Sequence, residues 1–205
     1  ATSLNYALFD YTGNPLISTT PIPSNASSSI TSPAMVVDSE ERAHIVWEST
    51  GTEIRYALID PDLDNQNGSA GDIANMTLQP STALAGGGLF AAGTRSDPDI
   101  AVDSFDAVHV VWVDTQDPLG ILYSSPNIYY TMLAFDSSSG FMTVIGQTMV
   151  TQTLSQAGHP AISVGANNTV VVVWEDTRGS VIEYVGILDT SGSMNAEWAD
   201  MCAVF

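Results

Sequence analysis

Apolar residues in this chain come in short runs, bounded by Gly, Pro, Asn, Asp and Ser. Val170 to Trp174 is apolar at every position, which predicts a strand covered on both faces rather than one face turned to water. Val, Ile, Tyr and Trp dominate these runs, as expected of strands of about four to eight residues. No segment carries a helical period. The stretch from Ala83 to Ala92 contains Gly86, Gly87 and Gly88, which predicts a loop.

The runs repeat. Pro33-Ala-Met-Val-Val-Asp38 leads to Ala43-His44-Ile-Val-Trp47, Pro98-Asp-Ile-Ala-Val-Asp103 to Val108-His109-Val-Val-Trp112, and Pro160-Ala-Ile-Ser-Val-Gly165 to Val170-Val171-Val-Val-Trp174. The step from Pro to Trp is 14 residues each time, and the copies recur at 65 and then 62 residues. A second element follows each Trp: Ile54-Arg-Tyr56-Ala-Leu-Ile-Asp60, Ile128-Tyr-Tyr130 through Asp136, and Ile182-Glu-Tyr184 through Asp189. Leu4-Asn-Tyr6-Ala-Leu-Phe-Asp10 is the same element without a preceding Pro…Trp unit. Each unit then closes on a turn and a last extended piece, such as Leu16 to Thr20 or Phe141 to Val150.

Four antiparallel strands per unit, stacked face to face around an axis, describe an all-β protein of β-propeller blades. The expected division of this single propeller region is a partial blade over 1–32 and blades over 33–97, 98–159 and 160–205. Trp47, Trp112 and Trp174, with Tyr56, Tyr130 and Tyr184, are the expected packing elements between blades. About three and a half blades cannot close a ring, since propellers have at least about four. The chain is thus expected to be part of a larger propeller or to associate with copies of itself, the Leu4–Thr20 hairpin completing a neighbour's sheet.

The repeat, Pro-x-Ile-Ala-Val-Asp … His-Val-Val-Trp-x-Asp-Thr … Ile-Tyr-Tyr, resembles the sialidase-like β-propeller repeats of secreted bacterial and archaeal surface proteins. That resemblance implies the fold and leaves activity open, because such scaffolds host many functions. The catalytic residues of sialidases do not carry over. Their Arg-Ile-Pro signature is absent, since Arg42, Arg55, Arg95 and Arg178 precede Ala, Tyr, Ser and Gly. Their Ser-x-Asp-x-Gly-x-Thr-Trp box is only approached by Ser104-Phe-Asp106 … Trp112.

Charge narrows the partners. Four Arg, no Lys and 23 Asp or Glu give a formal net charge of -19 in 205 residues. Such a chain repels phosphate backbones and anionic membrane surfaces, so neither nucleic acid nor membrane is an expected partner. Asn-x-Ser/Thr acceptors at Asn25, Asn67, Asn75 and Asn167, with 42 Ser and Thr, point to glycosylation and to an extracellular or cell-surface setting. A Ser/Thr-rich chain also makes such acceptors by chance. Cys202 is the only cysteine, so no internal disulfide forms.

Few residues suggest chemistry. Asp60, Asp62 and Asp64 alternate as oxygen ligands for Ca²⁺ would, though Asn65 stands where an EF-hand loop needs Gly; otherwise this is a solvated acidic turn, and no other cofactor is expected. His44 and His109 share a position that holds Val171 in the third copy, which argues for packing rather than metal ligation. His159, before Pro160, is expected in a loop. Asp114 and Asp176 follow their Trp residues and are expected near a blade rim, Asp176 pairing with Arg178. Tyr11, Tyr123 and Trp198 are candidates to stack on sugar rings. The expected function is a non-enzymatic extracellular module for surface structure, adhesion or self-assembly, the alternative being a glycan-binding or glycoside-hydrolase propeller portion.

Overall fold

A computed structural model describes residues 3–22, 29–60, 72–79, 93–115, 125–136, 141–151, 156–177 and 186–189. Every regular element among them is a strand. A hairpin of β1 (Asn5–Phe9) and β2 (Pro15–Pro21) comes first. Sheet 1 then runs β3 (Ile30–Val37), β4 (Ala43–Ser49), β5 (Glu53–Asp60) and β6 (Asp72–Gln79) in chain order. Sheet 2 repeats that meander with β7 (Arg95–Val102), β8 (Val108–Asp114), β9 (Asn127–Asp136) and β10 (Phe141–Met149). Sheet 3 has β11 (Ala157–Val164), β12 (Thr169–Asp176) and β13 (Gly186–Asp189). All pairings are antiparallel.

The sheets stack in chain order and converge on their first strands, β7 touching both β3 and β11. Three apolar clusters fill the gaps. Ile45, Trp47, Ala57 and Ile59 of sheet 1 meet Leu4, Tyr6 and Ile22 beside the hairpin. From the opposite face of sheet 1, Val46, Tyr56 and Leu58 meet Val108, Val110, Trp112 and Leu133 of sheet 2. Val111, Val113 and Ile128 of sheet 2 meet Ile162, Val170, Val172 and the half-buried Trp174 of sheet 3. Successive residues of β4 and β8 thus enter different cores, which is why these strands are apolar throughout instead of alternating. Each Trp faces the preceding unit, and Trp112 stacks on Tyr129 with ring centroids 5.9 Å apart. Tyr56 and Tyr130 face the following sheet, whereas Tyr184 lies outside the described residues. These stacked meanders are β-propeller blades.

One turn is used four times. Asp38–Arg42, Asp103–Ala107, Gly165–Thr169 and Asp10–Asn14 each close with two backbone hydrogen bonds, the first residue's N–H donating to the fifth residue's carbonyl and the fourth's N–H to the first's. The fourth residue is left-handed in every copy: Glu41 (φ 64°), Asp106 (φ 60°), Asn168 (φ 60°) and Gly13 (φ 87°). Where the first residue is Asp, its carboxylate accepts two further backbone N–H groups of the turn. Asp38 and Asp103 are therefore turn residues, which explains the Val-Asp end of the first strand.

Candidate functional site

The same step of β3, β7 and β11 carries an irregularity. The ladder slips between Thr31 and Ala34, between Ser96 and Asp99, and between Gly158 and Ala161. Within each slip the residue before the proline is left-handed: Ser32 (φ 51°), Asp97 (φ 50°) and His159 (φ 47°). Proline pushes its predecessor towards extended conformations, and a Cβ adds strain at positive φ. A bulge of this kind turns a side chain out of the ladder. Repeated on three neighbouring inner strands, it places a hydroxyl, a carboxylate and an imidazole at equivalent points of adjacent blades.

Local contacts support these groups. His159 Nδ1 lies 3.2 Å from the Glu175 carboxylate across the β11–β12 ladder, with both side chains largely exposed at 73% and 78%. The Ser96 hydroxyl donates to Asp97 Oδ2 at 3.3 Å. Asp99 Oδ2 accepts the Ile162 N–H at 2.9 Å, joining sheet 2 to sheet 3. His159 is on a strand and not in a loop as its Pro neighbour suggested; proline is tolerated there because the bulge releases its missing N–H from the ladder.

The other histidines are fully buried, as packing positions would be, and they carry hydrogen bonds as well. His44 Nδ1 lies 2.7 Å from the Tyr56 hydroxyl, and His44 Nε2 lies 3.0 Å from Asp38 Oδ2. A carboxylate only accepts, so Nε2 carries the proton and Nδ1 accepts a hydrogen bond from the Tyr56 hydroxyl. Arg42 Nε donates to the same carboxylate at 2.6 Å. Burial raises the Asp38 carboxyl, but the hydrogen bonds from His44 and Arg42 outweigh it and hold the group below its ordinary value. Burial depresses His44 despite the neighbouring carboxylate, and it raises the Tyr56 phenol. In the next copy His109 Nδ1 lies 2.7 Å from the Tyr130 hydroxyl, while Nε2 stands 3.4 Å from Asp103 Oδ2 without a hydrogen-bonding geometry. Burial lowers His109 and pushes Tyr130 up to about 12. The pattern Asp–His, Asp–His, Gly–Val over the three copies is its sequence signal: the imidazole appears where the turn carboxylate does.

Asp114 also departs from expectation. It is not a rim residue but is fully buried, and its Oδ2 accepts Arg95 Nε at 2.9 Å. Arg95, 1% exposed, also donates from a terminal nitrogen to the Thr52 carbonyl at 2.7 Å, tying sheet 2 to the β4–β5 turn. Burial demands a partner for each charge, so the pairing falls inside the sheet stack rather than at its rim.

Several expected sites fall elsewhere. Asp62, Asp64, Asn25, Asn67, Tyr123, Trp198, Cys202 and Arg178 lie outside the described residues. Asp60 ends β5, Asn75 stands on β6, and Asn167 is exposed in the β11–β12 turn. Tyr11 is fully exposed. Among the described residues no three His, Cys, Asp or Glu gather as a metal site.

No protein-family model and no curated protein matches this chain. Solved structures do match, among them an endo-arabinase from Bacteroides thetaiotaomicron at 12% identity and a TM-score of 0.47. The match covers 82% of this chain and 60% of the endo-arabinase chain. The likeness is one of fold. The expectation that the chain is no enzyme does not stand: it rested on missing sialidase motifs, and a solved structure similar to this chain is an endo-arabinase. Those missing motifs speak against one chemistry only, and the sialidase-like assignment gives way to the coarser one, an all-β propeller-like fold.

Proposed function

We propose that this chain is a carbohydrate-handling portion of a β-propeller, with the bulged ends of the inner strands as its sugar-facing surface. The observation that carries the reading is the recurrence of one strained bulge at Ser32, Asp97 and His159, the last paired with Glu175. Strain that recurs where polar side chains are presented is a mark of functional positions. Hydroxyl, carboxylate and imidazole groups supply the donors and acceptors that a polyol needs. The carboxyls of Asp97 and Glu175 are the groups to which acid–base work on a glycosidic bond would fall.

Incubation with a panel of neutral and acidic polysaccharides, arabinan included, tests the proposal. Retention on at least one of them, weakened at least tenfold by Asp97→Asn or His159→Ala, is expected. Release of reducing ends, abolished by Asp97→Asn or Glu175→Gln, would identify a hydrolase. A chain that retains its fold and binds no polysaccharide overturns the reading.

A second reading, a self-associating extracellular or surface module, is favoured by a separate observation. Large apolar side chains are exposed on the open faces of the stack, Met35 and Val37 at one end and Val173 at the other. The acidic surface and the glycosylation acceptors at Asn25, Asn67, Asn75 and Asn167 agree with that setting.

A further inference from the structure

Independently of the carbohydrate reading, we propose that Asp103 and His109 hold a divalent transition-metal ion of the zinc type beneath the β7–β8 turn, where sheet 1 uses Arg42 instead.

The repeat makes the comparison direct. In sheet 1 one oxygen of the turn carboxylate, Asp38 Oδ2, meets His44 Nε2 at 3.0 Å and Arg42 Nε at 2.6 Å. In sheet 2 the carboxylate and the imidazole recur as Asp103 and His109, but the last residue of the turn is Ala107 where sheet 1 has Arg42. Asp103 is nearly as buried as Asp38, at 9% against 7% exposed. Its Oδ1 accepts the N–H groups of Phe105 and Ala107, while its Oδ2 meets no arginine among the described residues. The turn of the next sheet brings no cation either, since Asn168 stands where the first boundary has Asp106. A buried carboxylate without a cation is costly. So is a buried imidazole nitrogen without a partner, and His109 Nε2 has no hydrogen bond among the described residues.

These two atoms face each other at a telling separation. Nε2 and Oδ2 are 3.4 Å apart and form no hydrogen bond. Two ligands that sit about 2.0–2.1 Å from one ion at a tetrahedral angle of about 109° lie about 3.4 Å from each other. In sheet 1 the same pair closes to 3.0 Å, the spacing of a shared proton and not of a shared ion.

Both side chains are also held from behind. His109 Nδ1 lies 2.7 Å from the Tyr130 hydroxyl, so with an ion on Nε2 the ring proton sits on Nδ1 and is donated to the Tyr130 oxygen. Two backbone N–H groups fix the far oxygen of Asp103. Outer partners of this kind set the tautomer and direction of metal-binding imidazoles and carboxylates. Imidazole with carboxylate suits zinc and its neighbours, whereas Ca²⁺ takes about six to eight oxygens. Two side chains leave the other positions of the ion to water. The turn above them is at the surface, with Phe105 81% exposed. The third copy drops carboxylate and imidazole together, as Gly165 and Val171.

Calorimetric titration of the intact chain with Zn²⁺ is expected to show one saturable ion per chain and a raised thermal midpoint. Co²⁺ in its place should give the visible absorption of a four-coordinate ion and shift the ring resonances of His109. His109→Val, which installs the residue of the third repeat, and Ala107→Arg, which rebuilds the sheet 1 arrangement, should each abolish this binding. Tyr130→Phe should weaken it about tenfold or more. His159→Ala, which removes the exposed imidazole beside Glu175, should leave it unchanged. Lack of saturable binding, binding that persists in folded His109→Val or Ala107→Arg, or Co²⁺ shifts at His44 or His159 instead of His109 overturns the proposal. Sugar enters none of these readouts, so their failure and the failure of the carbohydrate reading are separate results.

Discussion

The boundary between sheets 1 and 2 and the boundary between sheets 2 and 3 are built on one backbone template, yet they are filled differently. The first holds Arg42 against Asp38 and Arg95 against Asp114, with His44 and Tyr56 completing the chain of hydrogen bonds. At the second, Ala107 and Ala157 stand where those arginines would be, and His109 keeps one short hydrogen bond and a looser approach to Asp103. The backbone fit is insensitive to this exchange because the turns, the bulges and the Val-rich strands are the same. What differs is the cost of disturbing each boundary. Buried charges bind the first more specifically and make it more fragile to the loss of one partner.

The largest effect should come from the pair that the second boundary lacks. Asp114→Ala strands the buried Arg95 guanidinium and is expected to cost about 3–5 kcal/mol in urea unfolding. Replacing Arg95 and Asp114 together by Ala and Val should cost less than Asp114→Ala alone, which would show that stranding, not pairing, is the dominant quantity. Truncating Trp112, shared by the stacked Tyr129 and the first core, should cost about 3–5 kcal/mol as well. An intermediate effect separates the histidines. His44→Val orphans the Tyr56 hydroxyl and removes a donor to Asp38, and about 2–3 kcal/mol is expected. His109→Val, with one hydrogen bond to lose, should cost about 1–2 kcal/mol. Equal losses at both positions would erase the distinction drawn between the boundaries.

Acid should act on both. His44 and His109 have folded-state values below their ordinary one, so between the folded value and about 6.5 the unfolded chain binds more protons. Their contribution is complete above about pH 6.5 and declines as pH falls below it. Asp38, also depressed, adds a further loss below its ordinary value of 3.8. The midpoint of thermal unfolding should therefore fall steadily from pH 7 to pH 4, and less so in a His44→Val/His109→Val chain. The smallest effect belongs to an exposed contact between sheets 1 and 2, where the Ser39 N–H and hydroxyl donate to the Asp106 carboxylate: Asp106→Ala frees Ser39 and should cost about 0.5–1 kcal/mol.

Much of this was legible in the chain itself. An ungapped repeat of prolines, Val runs and Trp residues identified the strands, their order and the two-sided burial of the second strand, because local sequence alone decides which residues can lie in a covered strand. The turn role of Asp38 and Asp103 was hidden, since a Val-Asp strand end reads as ordinary polarity until the left-handed residue three positions later is seen. The bulge at Ser32, Asp97 and His159 was hidden too: Pro marked the place, but Pro at a strand start and Pro inside a bulge look alike in sequence.

Sequence alone determined the all-β class, the repeat and the net negative charge. These follow from side-chain volume, chirality and net charge, which do not depend on what the chain folds against. Only the tertiary structure decided that Asp114 is buried under Arg95, that His44 bridges Tyr56 and Asp38, that His109 bonds Tyr130, and which carboxylates stay in water. Such partnerships join positions 6 to 21 residues apart on different strands or turns, and a residue's solvation is set by what packs over it.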